Sequence, residues 1–383
     1  MVQRMGKAVK TVALELQPCC GNRSGVGTYT FELAKRLHSD DELRFCGNVF
    51  NFCGRNDNRE ALRGIEMPLN ESRMFPYGIY RRVWNVLPAS YERFFPTQAD
   101  LSIFFNYIVP PRIGGKVITT VYDMTYLRFP ETMDARNRRR LNGGLRRSVA
   151  RSDRILTISA FSKREIHKLL RVPEKQIAVI PCAPNYASDT ADFETTAGKY
   201  GVRKPYLLYV GNIEPRKNLS GLLSAFALLK ERYHAPHQLV LAGGKGWNNA
   251  EFDRALAESR VKDEVLLTGY VAGAEKNSLY QHAEAFVFPS LYEGFGIPPL
   301  EAMHWGCPVV ASNAASLPEV CGDAAELVNP LDTESIAEGI WRVLSDARYA
   351  DELRAKGLKR AGQYTWEASA QRLKAVCKEV LDE

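Results

Sequence analysis

The sequence predicts an α/β protein built from two doubly wound parallel sheets, each covered by helices. Short apolar segments alternate with amphipathic ones along the chain, a pattern typical of parallel strands that are connected by helical crossovers. The alternation begins again at Tyr206, after a polar stretch that holds few apolar residues. A chain of 383 residues, 45% of them hydrophobic, is long enough to bury two cores. We therefore expect two domains joined by a linker.

The elements of the first half follow from the spacing of apolar side chains. Apolar runs predict strands at 11–16, 117–122, 154–158 and 177–180. Amphipathic spacing predicts a helix at 28–37, a polar helix between the second and third strands, and a helix that begins after Ser159 or Ser162 and runs to Leu170.

The second half repeats the pattern with the same two periodicities. Apolar runs predict strands at 206–210, 238–242, 265–267, 285–289, 308–312 and 325–328. Amphipathic spacing predicts helices at 220–231, 251–259, 275–282, 300–306, 333–344, 349–364 and 366–381.

Two glutamates flank a glycine loop after the strand at 285–289. Glu293 lies in the loop and Glu301 in the first turn of the next helix, because Pro298 and Pro299 suit a helix start. Backbone N–H groups at a helix start attract phosphate or hydroxyl oxygens. In the alternative interpretation, Glu301 only complements the helix dipole and Glu293 is a surface acid.

Two adjacent cations, Arg216 and Lys217, follow the strand at 206–210. Ligands collect at the carboxyl ends of the strands of a parallel sheet. A guanidinium binds two oxygens as a fork and an ammonium adds a point charge, so the pair suits a diphosphate. The alternative is an ordinary solvated loop.

A glycine pair, Gly25 and Gly27, lies between the first strand and the first helix. Glycines let the backbone approach a ligand closely, although a tight turn alone would also explain them. The third glycine of the dinucleotide-binding fingerprint is replaced by Thr30, which disfavours NAD.

Further polar residues follow strands in both halves. Tyr122 can donate a hydrogen bond, and Asp123 is placed either to orient the hydroxyl groups of a sugar or acceptor or to cap a turn. Ser159, which also follows a strand, either contributes to a ligand-binding cleft at the strand ends or caps its helix. The loops that hold Gly243 and the pair Tyr270 and Val271 also follow strands.

The charge is distributed unevenly. Residues 1–190 hold 30 Lys and Arg against 18 Asp and Glu, a net +12, whereas residues 191–383 hold 21 against 26, a net −5. The first half therefore faces an anionic partner, and we expect a membrane surface because no nucleic-acid motif is present. The segment 75–87 interleaves aromatics and arginines, which favours a membrane interface. The alternatives are a solvated basic face and a helix whose core face is Tyr80, Trp84 and Leu87.

The cysteines and the apolar segments limit the compartment. Eight cysteines are scattered without metal-ligand spacing, so we expect buried thiols in a reducing cytoplasm, with no disulfide and no structural zinc. No apolar stretch approaches the roughly 20 residues of a membrane span, and the apolar run near the amino terminus is too short for a signal peptide.

The segment from Glu293 to Glu301, two glutamates separated by seven residues that include Gly-Phe-Gly-Ile-Pro, closely resembles the acidic signature of retaining nucleotide-sugar glycosyltransferases. These enzymes have two Rossmann-like domains that face each other across a cleft, the GT-B fold, and form glycosyltransferase family 4, or group 1. The bacterial mannosyltransferases of lipopolysaccharide and exopolysaccharide synthesis are the most similar. The resemblance covers essentially the whole chain and is strongest from 206 to 320.

The resemblance implies a domain plan. An acceptor-binding domain at 1–188 and a linker at 189–204 precede a donor-binding domain at 205–365. A helix at 366–383 crosses back to pack on the first domain.

The resemblance also implies roles for the residues above. Arg216 and Lys217 hold the donor diphosphate, Glu301 accepts hydrogen bonds from the ribose, and Glu293 lies nearer the sugar, with Asp123 as the fourth catalytic candidate. The remaining donor contacts are implied for Gly25, Gly27, Gly211, Gly243, Tyr270, Val271, Phe295, Gly296, Ile297 and Leu300. Tyr122, Asp123 and Ser159 are the candidates for the acceptor or sugar. Many relatives have histidine where this chain has Tyr122, which puts that residue's role in doubt.

We therefore expect a retaining hexosyltransferase. The favoured donor is GDP-mannose or a related GDP-sugar, the acceptor is a growing glycan or polyprenyl-linked oligosaccharide, and the place is the inner face of the cytoplasmic membrane. No metal or other cofactor is expected, because two cations neutralise the diphosphate and no Asp-x-Asp motif is evident. The alternatives are an ADP- or UDP-glucose-dependent glucosyltransferase and a non-catalytic glycan-binding protein that retains the fold.

Overall fold

The computed structural model of the protein describes residues 8–21, 24–54, 56–84, 86, 90–133, 135–185, 189–246, 248–271 and 273–383. It divides the chain into two compact units. The first unit consists of Met1–Met124, Arg136–Cys182 and Trp366–Glu383, and the second of Thr125–Ala135 and Ala183–Thr365.

The sheet of the first unit has seven parallel strands in the order β3-β2-β1-β4-β5-β6-β7. Its strands are β1 Lys10–Glu15, β2 Leu43–Phe50, β3 Leu69–Ser72, β4 Leu101–Phe104, β5 Lys116–Thr120, β6 Arg154–Thr157 and β7 Ile177–Val179. The helices in this part of the chain are α1 Gly25–Arg36, α2 Asn56–Ala61, α3 Tyr77–Val83, α4 Thr125–Arg128, α5 Ala135–Arg151 and α6 Ala160–Leu170.

The sheet of the second unit has six parallel strands in the order β10-β9-β8-β11-β12-β13. Its strands are β8 Tyr206–Val210, β9 Gln238–Ala242, β10 Val265–Gly269, β11 Ala285–Phe288, β12 Val309–Ser312 and β13 Glu326–Val328. Its helices are α7 Phe193–Tyr200, α8 Leu219–Tyr233, α9 Ala250–Glu258, α10 Gly273–His282, α11 Ile297–His304, α12 Leu317–Cys321, α13 Thr333–Ser345 and α14 Ala347–Ala361.

Both sheets contain a point where the strand order reverses. In the second unit, β8 and β11 are neighbours, and the chain leaves them toward opposite edges of the sheet. In the first unit, β1 and β4 have the same relation. Loops diverge at such a switch point and leave a crevice outside the carboxyl ends of the strands, which is where open α/β sheets bind ligands. The two doubly wound sheets confirm the predicted fold class.

The last helix, α15 Trp366–Asp382, belongs to the first unit, as predicted. The Trp366 ring packs edge-on against Tyr29 at a centroid distance of 5.8 Å. The Ser369 hydroxyl donates a hydrogen bond to the Pro181 carbonyl at 2.8 Å, and Arg36 on α1 forms an ion pair with Glu367 at 2.5 Å. Burial of one apolar face of α15 against α1 therefore anchors the end of the chain.

Two segments differ from the predicted domain plan. The stretch predicted as a linker, 189–204, contains the helix α7. The Asp192 side chain caps the start of α7 by accepting a hydrogen bond from the Thr195 N–H, and Gly201, with φ +80°, follows its last residue. Tyr200 donates to the Glu275 carboxylate on α10 at 2.6 Å, so this helix packs on the second unit. The segment Thr125–Ala135, predicted within the first domain, also clusters with the second unit.

An aromatic cluster fills one side of the first unit. Tyr80 is buried against Phe50, with ring centroids 4.8 Å apart, and Trp84 packs edge-on against Tyr80 at 5.8 Å. Tyr80 and Trp84 therefore form the core face at the end of α3, in agreement with the alternative interpretation of this segment as a helix packed on the core. Leu87, the third residue of that interpretation, lies outside the described residues.

Candidate active site of the second unit

A single helical turn carries the two cations after β8. Pro215–Lys217 form a short 3-10 helix, and Asn218 follows it in the left-handed region at φ +58°. The Asn218 side chain donates to the carbonyl oxygens of Pro289 at 3.2 Å and Pro330 at 2.6 Å. These hydrogen bonds fasten the loop after β8 to the loops after β11 and β13.

Glu293 joins the two cations to the loop after β11. Its carboxylate accepts from the Arg216 guanidinium at 2.7 Å and from the Lys217 ammonium at 2.6 Å. Arg216 also donates to the Tyr292 carbonyl at 2.6 Å and to the Glu214 carboxylate at 2.7 Å. Because β8 and β11 are neighbours, residues 76 and 77 positions apart in the chain meet at the switch point. We call Glu214, Arg216, Lys217 and Glu293 the charge cluster.

The charge cluster is largely shielded from water. Glu293 is only 7% exposed, and the Lys217 side chain is 12% exposed. Burial works to raise the pKa of Glu293, but the charges and hydrogen bonds of Arg216 and Lys217 outweigh it and lower that pKa to about 2. Burial lowers the pKa of Lys217, and the Glu293 charge opposes this effect. Charges in such an environment interact more strongly than charges in water.

The glycine loop after Glu293 is held by backbone geometry and by one hydroxyl group. The buried Ser316 hydroxyl lies 2.9 Å from the Glu293 carbonyl and 2.8 Å from the Phe295 carbonyl and donates to one at a time. Gly296 has φ +105°, and a Cβ there would lie 2.6 Å from the Leu317 side chain. The position therefore requires glycine, and the turn leads directly to the start of α11 at Ile297.

Glu301 lies in the first part of α11 with partners of its own. Its carboxylate accepts from the Lys276 ammonium at 2.8 Å and from the Tyr280 hydroxyl at 3.0 Å. Both partners are on α10, and burial together with the Glu301 charge raises the pKa of Tyr280 well above its usual value. Leu300, the residue before Glu301, is fully buried, whereas Glu301 is half-buried.

The loops after β8 and β9 touch through glycines. A Cβ on Gly243 would lie 1.9 Å from the Gly211 carbonyl oxygen, so this approach excludes any side chain at Gly243. Beyond β10, Tyr270 is 78% exposed while Val271 is buried. The second unit thus brings the predicted donor residues of its own loops to one edge of its sheet.

The remaining predicted residues are all in the first unit. The Tyr122 hydroxyl is buried and donates to the Phe105 carbonyl at 2.8 Å, so its proton is used inside the core. Ser159 is fully buried and caps α6 by accepting from the Ser162 N–H at 3.0 Å, which is the cap alternative. Asp123 is half-buried just after β5.

The start of α1 holds the predicted glycine pair. Ser24 caps this helix by accepting from the Gly27 N–H at 3.4 Å. Among the described residues, no heavy atom lies within 4 Å of a Cβ built on Gly25. The backbone at Gly25 is therefore exposed and has space beside it, whereas Gly27 is buried.

Sequence reasoning missed several residues that hold the site. Glu214 lies two residues before Arg216 in the same motif, and an acid so close to the cation was a signal that the sequence already contained. The structure shows that its carboxylate accepts a hydrogen bond from the Arg216 guanidinium. Lys276, Tyr280 and Ser316 come from other elements, and no local pattern links them to either glutamate.

The described part of the chain offers neither a metal centre nor a membrane-spanning helix. Within it, no group of three or more His, Cys, Asp and Glu side chains is placed to hold a metal ion. None of its helices is both long enough and apolar enough to span a bilayer. All eight cysteines are free thiols, and six of them are buried.

Two family descriptions match consecutive parts of the chain. "Glycosyltransferase Family 4" matches residues 23–186 and "Glycosyl transferases group 1" matches residues 192–360. The chain is 35% identical over 366 residues to the O-antigen chain mannosyltransferase B of Escherichia coli, and the alignment covers 90% of this chain and 93% of that protein.

Solved structures give the same picture of the fold. Sucrose-phosphate synthase from Thermosynechococcus elongatus superposes with a TM-score of 0.73 at 18% identity, covering 97% of this chain and 99% of that one. HepE from Anabaena, in complex with UDP-glucose, superposes with a TM-score of 0.70 at 16% identity, covering 97% of this chain and 100% of that one. At these identities the similarity shows the fold alone, and it agrees with the GT-B class.

Proposed function

The chain belongs to glycosyltransferase family 4 and is a glycosyltransferase, and from this premise we propose that it transfers mannose from GDP-mannose to a growing glycan or lipid-linked acceptor. The observation that carries the chemistry is the buried charge cluster at the switch point of the second unit. The observation that favours mannose is the 35% identity to an O-antigen chain mannosyltransferase over nearly the full length of both proteins.

In this proposal the donor diphosphate binds at Arg216 and Lys217. Its oxygens compete with the Glu293 carboxylate for the two cations, whose side chains are 16% and 12% exposed. Before the donor arrives, Glu293 holds both cations in place, so their side chains are already oriented when the phosphate oxygens share or replace this contact. Glu301 and the backbone N–H groups at the start of α11 then contact the ribose and the sugar.

We infer a transfer with retention at the anomeric carbon. The bond from C1 to the donor phosphate breaks, and the acceptor oxygen bonds to C1 from the same face. The electron pair of the broken bond stays on the departing phosphate oxygen, and Arg216 and Lys217 stabilise the negative charge that develops there. The acceptor's proton then moves to that oxygen, so GDP leaves protonated. This route needs no carboxylate nucleophile, unlike the two-carboxylate scheme of retaining glycosidases. It also assigns the neutralisation of charge to side chains, so we expect no metal requirement.

The acceptor side of the proposal rests on charge. The basic first half would be attracted to an anionic membrane surface by about 1 kcal/mol for each basic residue near it, and a polyprenyl-linked acceptor would be presented there. Co-sedimentation with vesicles tests this part. Binding should require anionic lipid and weaken as salt increases, whereas equal binding to neutral vesicles would contradict it.

The donor is tested by a panel of nucleotide sugars. GDP-mannose should stabilise the protein by RT ln(1 + [L]/Kd), which is about 2.7 kcal/mol at a hundred times Kd, and UDP-glucose and ADP-glucose should not. In a transfer assay with GDP-mannose, NMR of the product should show that the α configuration of the donor is kept. Transfer from UDP-glucose but not from GDP-mannose would refute the donor assignment, and an inverted product would refute the mechanism.

A further inference from the structure

We propose that the first unit holds a second anion site, which binds the diphosphate group of a lipid-linked acceptor; the identity of the ligand rests on the proposed function. The site is a cavity of about 510 Å³ between α3 and α5. Six arginines line it, and we call it the arginine cavity: Arg81, Arg82, Arg136, Arg139, Arg140 and Arg147.

The arginine cavity has an excess of positive charge. The buried Glu15 interacts with Arg81 and Arg140, but one carboxyl group does not balance six guanidinium groups. Its lining contains no acidic residue in the part of the chain that the structure describes. Within that part, no ion pair joins a carboxylate to the guanidinium groups of Arg81, Arg82, Arg139, Arg140 or Arg147. Like charges in one cavity repel each other, and a bound anion would relieve the repulsion.

One guanidinium of the cavity is fixed before any ligand arrives. Arg140 is half-buried, and its Nη2 donates to the backbone carbonyl and the side-chain oxygen of Asn106, both at 3.1 Å. Burial and the nearby charge of Arg81 lower the pKa of Arg140. A guanidinium that is held in place by neutral oxygens retains its charge for a ligand, and its planar fork matches phosphate oxygens.

Two consecutive glycines of α5 contribute to the cavity lining. Gly143 and Gly144 lie in the middle of a 17-residue helix, where glycine is less stable than alanine. A Cβ on Gly144 would lie 2.8 Å from the Ile108 side chain, so packing explains that glycine. At Gly143, among the described residues, no heavy atom lies within 4 Å of the built Cβ. The missing side chain at Gly143 therefore keeps the cavity open rather than allowing close packing.

Its size and surroundings indicate which anion the cavity takes. Several guanidinium groups from two helices suit a group with many oxygens, such as a diphosphate, better than a single carboxylate. Trp84 adds an aromatic wall. Near α3, Met74, Ile79 and Val86 are exposed apolar side chains, with Val86 80% exposed. An apolar chain attached to the diphosphate would bury such side chains, which favours a lipid diphosphate over a free one.

Binding of farnesyl diphosphate and of inorganic pyrophosphate to the full chain tests the inference by isothermal titration calorimetry. The variants are the double substitution R139Q/R147Q, which removes two cavity charges, and G143L, which fills the cavity without changing charge. The control is R146Q, because Arg146 is on the same helix but outside the cavity lining and donates to the Leu169 carbonyl at 3.4 Å. We expect the affinity for farnesyl diphosphate to fall at least tenfold in both cavity variants and to stay within twofold in R146Q.

The outcomes separate this inference from the proposed function. Farnesyl diphosphate should bind more tightly than pyrophosphate; equal affinities would overturn the lipid assignment, and unchanged binding in both cavity variants would overturn the site. In transfer assays, both cavity variants should raise the KM for a lipid diphosphate acceptor at least tenfold. The KM for GDP-mannose should not change, and neither should turnover with an alkyl glycoside acceptor that lacks a diphosphate. If GDP-mannose is no donor but the binding losses persist, the proposed function fails and the arginine cavity stands.

Discussion

Replacing Lys217 by methionine removes one charge from the charge cluster and changes little else. The methionine side chain can keep the apolar contact with the Phe288 ring, over which the Lys217 ammonium lies at 5.0 Å from the centroid. Arg216 remains as a cation in contact with Glu293. The substitution therefore isolates the contribution of one ammonium group, and K359M, at an exposed position on α14, is the matched control.

Two magnitudes follow for ligand binding and catalysis. A hydrogen bond to a charged group contributes about 1.5–3 kcal/mol, so the affinity of K217M for GDP should fall by roughly 10–150-fold. Loss of one preorganised donor to the leaving group typically lowers kcat by about 10²–10³. Guanosine has no phosphate, so its affinity should not change.

The same substitution predicts a pH dependence of stability. The pKa of Glu293 is lowered from 4.5 to about 2, so its ionisation stabilises the folded state above about pH 4.5, and this stability is lost as the pH falls toward 2. The full difference corresponds to about 3 kcal/mol. Since burial also lowers the pKa of Lys217, removing that charge relieves a desolvation cost. We therefore expect K217M to lower the free energy of unfolding at pH 7 by about 1–3 kcal/mol, below the cost of a fully broken buried pair.

Three measurements check this reasoning. Calorimetry gives the affinities for GDP and guanosine, a GDP-release assay gives kcat, and urea unfolding at pH 3 and pH 7 gives the stability difference, which should be smaller at pH 3. Equal losses of affinity for guanosine and GDP would show that Lys217 does not contact phosphate. Turnover within threefold of the K359M control would show that the ammonium does not stabilise the leaving group.

Three further predictions concern other sites. Replacing Glu301 by alanine should weaken GDP and guanosine binding alike by about 1.5–3 kcal/mol, because its proposed partner is the ribose; calorimetry that shows normal guanosine binding would contradict the assignment. Burial raises the pKa of Glu15 to about 7, against a hydrogen bond from Tyr77 and the charge of Arg81. The folded state therefore keeps a proton that the unfolded state loses between about pH 4.5 and 7, and stability should fall by up to about 3 kcal/mol over that range. In urea unfolding, E15Q should remove this decrease, and an unchanged pH profile would refute it. Replacing Gly143 by alanine should raise the free energy of unfolding by about 0.5–1 kcal/mol, and a lower melting temperature would mean that the position is not open.

The sequence by itself determined the elements whose apolar runs are continuous. The predicted bounds of β8 and β9 agree with Tyr206–Val210 and Gln238–Ala242, because strands buried on both faces consist almost entirely of apolar residues. It missed β2, Leu43–Phe50, whose run is broken by Arg44, Gly47 and Asn48. It also placed a linker where α7 forms, because the apolar face of α7 is small and is buried only by packing on the second unit.

The candidate site residues likewise divide into those that the sequence predicted and those whose contacts only the fold determined. Arg216, Lys217 and Glu293 were predicted from local motifs, since each follows a recognisable strand. Only the tertiary structure decided that Glu293 binds both cations, because the adjacency of β8 and β11 is a property of strand order, which no local period encodes. The sequence offered the Tyr122 hydroxyl as a hydrogen-bond donor to a ligand, but in the fold this hydroxyl donates to the Phe105 carbonyl.

The arginine cavity shows the limit of local inference most directly. The sequence determined that the first half is basic, and its charge runs indicated an anionic partner. Whether such arginines form a diffuse face or a concave site depends on which helices pack side by side. The fold brings Arg81 and Arg82 of α3 beside Arg139 and Arg147 of α5, more than 50 residues later in the chain. Charge is a property of composition, but its concentration in one cavity depends on distances between residues that are remote in sequence.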